Sequence, residues 1–378
     1  MSEDLNLIFK SNASTKLVMS CRSHIFQNRH FKVVKLLSRS NCNIISTDIS
    51  LTYEERQHIA KLYLTNDETR DIEEIIKFTK FDSFPLLCEY YSKNKSKDIN
   101  TFFSRPVEII KKDLECMMND LDQTNYAVLA LLVIYNYNIS EDMLQKRTEI
   151  KNVIKEIHEE CDPPIDITVK ALKNRLENLT NSYLKKEESI YSIFHDKIFS
   201  ILVSFYGEHM FDLILKLSHT DIIRDHYQFN SLNETEDDCI IKVPVESEKC
   251  YFERLYDDIK RGFILNVFRN RQLQFKSYQG SFIKFLEEKT DIYRHIKSLS
   301  NTVNSPLLTL ADQGYADVIK MLLKLGLNIN VRDESGRTPL WLSCMKGNEA
   351  VVNVMLRNDC GANICDNENS SPLYIAAC

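Results

Sequence analysis

Apolar residues at helical spacing run through most of this chain. Thr52 and Glu55 have capping-box spacing, and Ile59, Leu62 and Tyr63 continue an apolar stripe, so a helix is predicted over 48–64. Asp71–Phe78 predicts a short helix, and Phe84–Tyr91 predicts an apolar one with Pro85 in its first turn. Pro106–Leu121 is amphipathic, whereas Tyr126–Tyr135 is apolar all round and should lie at the centre of a small helical domain. Ser140 is placed to cap a further helix. Helices over Glu149–Glu160 and Thr168–Asn178 are separated by the breaker Cys161-Asp162-Pro163-Pro164. Strand-like stretches are few. They are Lys16–Cys21, Phe31–Leu37 and Ser182–Phe194, the last predicting a hairpin turned by Lys185-Lys186-Glu187-Glu188. His195-Asp196-Lys197 opens an apolar helix toward Leu217, with Gly207 as the expected break. Asn233–Asp238 is an acidic loop, and Cys250–Leu299 is aromatic-rich amphipathic helix, a pattern that belongs to packing more often than to a ligand box.

Toward the C-terminus the pattern becomes periodic. Ser305-Pro306-Leu307, Thr338-Pro339-Leu340 and Ser371-Pro372-Leu373 stand 33 residues apart, and Gly314 and Gly347 keep the same step. Each Ser or Thr is a good cap and each Pro suits a first helical turn. Leu307, Leu310 and Ala311 form one apolar face, and Val318, Ile319, Leu322 and Leu323 form a second. Gly326 and Gly361 are placed for left-handed helix ends, and Asn328, Asn330 and Asp333 supply turn chemistry. The period and the Thr-Pro-Leu start resemble ankyrin repeats. The resemblance implies two complete repeats and a third that is cut short. Because Tyr374–Cys378 offers no polar cap, a fragment of a longer protein is expected, with a genuine short product as the alternative. It also implies a protein ligand on the concave face, with Arg332, Asp333, Glu334, Arg337 and Asn363 as candidate partner-binding residues.

Composition narrows the classes. The 378 residues allow two or three domains, and only 8 Gly and 8 Pro suit a mostly helical chain. The formal charge of −6 argues against a dominant nucleic-acid surface. The 11 cysteines are odd in number and form no C-x-x-C pair, which fits reduced thiols rather than a disulfide framework or a zinc site. Met1-Ser2-Glu3-Asp4 lacks a signal-peptide pattern, and the run Tyr126–Tyr135 is too short to span a bilayer, so a cytoplasmic protein with no membrane partner is expected. No catalytic constellation stands out.

Arg22 follows the short apolar run Lys16–Cys21. It can be read as a surface loop residue, or as an arginine at the carboxyl end of a strand, where phosphate is reached in open α/β sheets. Ser20-Cys21-Arg22-Ser23, Phe84-Pro85-Leu86 and Phe194-His195-Asp196 occur in the order of the sensor, Gly-x-Pro and Met-His-Asp motifs of STAND nucleotide-binding modules, relatives of NB-ARC proteins. Over roughly 14–300 the chain resembles their C-terminal part. The resemblance implies the end of an α/β nucleotide-binding core (1–47), a helical lid (48–97), a winged-helix-like domain (98–200) and a helical connector (201–299), before the ankyrin solenoid (300–378). It places Arg22, Pro85 and His195 at ADP or ATP, with Mg²⁺, in a longer parent that oligomerises. Phe194 stands where the family has Met, and the Gly before Pro85 is missing. Apart from the family, His195 and Asp196 also read as an ordinary helix cap. No G-x-x-x-x-G-K-[ST] stretch occurs, so this chain alone is not expected to hydrolyse ATP. The expected function is an intracellular signalling switch; the alternative is an ankyrin interaction adaptor without a switch.

Overall fold

The computed structural model describes residues 51–78, 84–93, 95, 98–120, 122–145, 147–160, 169–180, 182–232 and 239–377. The strands expected over Lys16–Cys21 and Phe31–Leu37, together with Arg22, lie outside these residues. The chain divides into two compact units, Met1–Ser104 and Arg105–Cys378. The described part is mostly helical.

The first unit contains α1 (Tyr53–Tyr63), α2 (Asn66–Asp71), α3 (Glu73–Phe78), α4 (Phe84–Lys93) and α5 (Ile99–Ser104). The capping box is formed: Glu55 N–H donates to Thr52 Oγ1 at 3.2 Å and Thr52 N–H to Glu55 Oε2 at 2.8 Å. Thr65 and Glu68 repeat the device at α2. Phe84, Tyr90, Tyr91, Phe102 and Phe103 interlock as an aromatic core between α4 and α5.

The second unit opens with α6 (Pro106–Met118) and α7 (Thr124–Ile134), the latter buried from Tyr126 to Ile134. Then come β1 (Asn138–Ser140), α8 (Glu141–Gln145), α9 (Arg147–Glu160), α10 (Val169–Leu179), β2 (Leu184–Glu187) and β3 (Ile190–Ile193). The three strands form an antiparallel sheet in the order β1-β3-β2. The hairpin turn is Glu188-Ser189, not Lys185–Glu188. Leu184 pairs with Ile193 and Glu187 with Ile190, and Glu188 takes the left-handed conformation (φ 53°). That register buries Leu184 and Ile193 and leaves Lys185, Lys186 and Glu187 on the strand.

α11 (Asp196–His209) and α12 (Phe211–Leu217) meet at Met210 with a bend of 118°. The break thus falls three residues after Gly207, which stays helical and buried because Ile241 packs directly on it. No single described helix is long and apolar enough to cross a membrane. α13 (Thr220–His226) follows, then β4 (Tyr227–Phe229) and β5 (Ile241–Val243), a buried parallel pair that helical periodicity did not suggest. α14 (Glu248–Lys260) carries Arg254, which is 7% exposed. Its guanidinium donates to the carbonyls of Leu215, Lys216 and Ser218 and pairs with Asp258 Oδ1 at 3.1 Å, so it closes the C-terminal end of α12. The helical stretch expected over 250–299 is broken at Gly262, in the left-handed region at φ 92°, and again near Asn270, giving α15 (Ile264–Phe268), α16 (Lys276–Glu287) and α17 (Ile292–Lys297).

The repeats form α18 (Pro306–Gln313), α19 (Ala316–Lys324), α20 (Pro339–Met345), α21 (Glu349–Arg357) and α22 (Pro372–Ala377). α18, α20 and α22 stack in sequence, and α19 stacks on α21. On the upstream side α15 packs on α18 and α16 on α19, with Lys276 Nζ 2.9 Å from Asp317 Oδ2. These contacts cover the upstream side of the α18–α19 pair. Gly314, Gly326 and Gly347 have left-handed backbones, but Gly361 does not; Asp359 takes that role at φ 53°. Gly361 is instead packed against Ile364 and gives its N–H to Asn330 Oδ1 at 2.7 Å.

Candidate protein-binding surface

The turns that link successive repeats are built by one aspartate each. Asp333 Oδ1 accepts from the N–H groups of Ser335 (2.9 Å) and Arg337 (2.8 Å), and Oδ2 accepts from Arg337 Nε at 2.9 Å. Asp366, one period later, accepts from Glu368 (3.0 Å) and Ser370 (2.8 Å). A short side-chain oxygen two residues before the amide it holds makes such a turn locally self-sufficient. Gly336 (φ 77°) and Asn369 (φ 63°) supply the left-handed residue in each turn. Glycine and asparagine tolerate that region, which most side chains avoid.

Cross-links then align the turns. Asn367 donates its N–H to Ser335 O and its amide to Glu334 O, both at 3.0 Å. Arg332 Nη2 donates to Cys365 O at 2.9 Å, and Trp341 Nε1 to Ser370 O at 3.0 Å. The Arg337 guanidinium lies over the Trp341 ring, 5.4 Å from its centroid. Burial lowers the Arg337 pKa, opposed by the charges of Asp312 and Asp366. Asn348 ties the second repeat to the first by donating to Ala311 O at 3.0 Å.

The five candidate residues therefore differ in their surroundings. Arg332, Asp333 and Arg337 bond within the stack, whereas the side chains of Glu334 and Asn363 are exposed. Sequence reasoning missed Asn367 and Trp341; the 33-residue offset of Asn367 from Glu334 was the available signal. Asp333→Ala should cost about 1–2 kcal/mol, because two turn amides lose their acceptor as they would at a helix cap. Chemical denaturation checks this, and a change below about 0.3 kcal/mol would mean that water replaces the carboxylate.

Of the expected nucleotide contacts, Pro85 is exposed in the first turn of α4, in the first unit. His195, in the second unit, caps α11: its Nδ1 accepts the Lys197 N–H at 3.0 Å, and the residue is half-buried. Among the described residues no group of His, Cys, Asp or Glu has metal-binding spacing.

Residues 284–378 match the family described as ankyrin repeats (3 copies), so this end of the chain carries ankyrin repeats. The match begins before residue 300, within α16, which packs on α19. A curated relative, described as the probable E3 ubiquitin-protein ligase XBOS33 of Oryza sativa subsp. japonica, is 36% identical over 64 residues. That stretch covers 17% of this chain and 12% of the relative, so only a small part of the relative's length is shared.

Proposed function

We propose that this chain is an interaction protein whose ankyrin stack binds a protein partner through the exposed tips of its inter-repeat turns. The observation that carries this reading is the division of labour in the turns. Asp333, Arg332, Arg337 and Asn367 hold the backbone rigid, which leaves Glu334 and Asn363 outward on a fixed frame. A pre-organised surface binds without first losing loop entropy. The site of action under this reading is the cytoplasm.

The test uses the full chain as bait, with quantitative recovery of partners. E334K/N363K should lose a partner that wild type retains, at an unchanged melting temperature. Equal recovery would remove the turn tips from the interface.

A second reading is a nucleotide-dependent STAND-type switch in a longer parent protein. It is supported by the order helix α7, strand β1, helices, then hairpin β2–β3, with β1 beside β3, which is the arrangement of a winged helix. Under this reading His195 follows the hairpin at a helix start and contacts ADP. Lys173, Arg175 and Lys186 are paired with Glu141, Asp122 and again Glu141, which leaves little free positive charge for a DNA backbone. Nucleotide and ligand would need different affinities for two forms of the parent.

A further inference from the structure

We draw no further inference here: the strongest candidate, the exposed apolar surface that Leu356 of α21 and Leu373 and Tyr374 of α22 present on the last helices of the stack, carries none because nothing in the structure shows what covers it.

Discussion

Arg254→Met should destabilise the Arg105–Cys378 unit by about 3–5 kcal/mol, the range for removing one partner of a buried pair. The residue is 7% exposed and Asp258 1%, so the stranded carboxylate has little access to water. Three carbonyls at the end of α12 lose their donor at the same time. An R254M/D258L double substitution should recover much of the loss, since an apolar pair of similar volume avoids desolvating two charges. Denaturant unfolding of the three variants decides the point, and a single-variant cost under about 1 kcal/mol would show that solvent enters the site. The pH dependence follows from Asp258. Burial raises its carboxyl above the ordinary 3.8, outweighing the attraction of Arg254. A folded pKa above the unfolded one makes the protonated folded form favourable. That contribution is complete below the unfolded value and is lost as pH rises through the folded value. Asp258→Asn should therefore gain on wild type as pH rises above the ordinary carboxylate value.

Gly207→Ala should also destabilise, reversing the usual sign. Ala normally improves a helix interior by about 0.5–1 kcal/mol. At 207 a Cβ would stand 2.2 Å from Ile241 Cδ1, 2.3 Å from Cγ1 and 3.1 Å from Cγ2, so the whole side chain obstructs it. Ile241 is β-branched, 1% exposed and tied into β5, which leaves it few rotamers for escape. Overpacking of this kind costs about 1–3 kcal/mol. Ile241→Ala alone should cost about 2–5 kcal/mol, and the double variant should cost less than the sum. Thermal unfolding of the set provides the measurement, and a rise in melting temperature for G207A would refute the close packing of α11 on β5.

Sequence by itself determined what depends on neighbours along the chain. The capping box of Thr52 and Glu55, the buried helix Thr124–Ile134 and the 33-residue stack of helix pairs were all legible, because caps, apolar faces and turn aspartates act over a few residues. The repeat also disclosed Glu334 and Asn363 as turn residues. Tertiary structure decided the rest. It moved the hairpin turn to Glu188-Ser189, because the strand register had to bury Leu184 opposite Ile193. It kept Gly207 helical and broke the chain at Met210, because Ile241 comes from 34 residues further on. The parallel strands Tyr227–Phe229 and Ile241–Val243 are too short to show a period and exist only through each other. Arg254 and Asp258 are four residues apart, a spacing that puts them on one helix face but does not say whether that face is buried. Packing against α12 made them a buried pair, since burial is a property of the elements that surround a residue and not of its spacing.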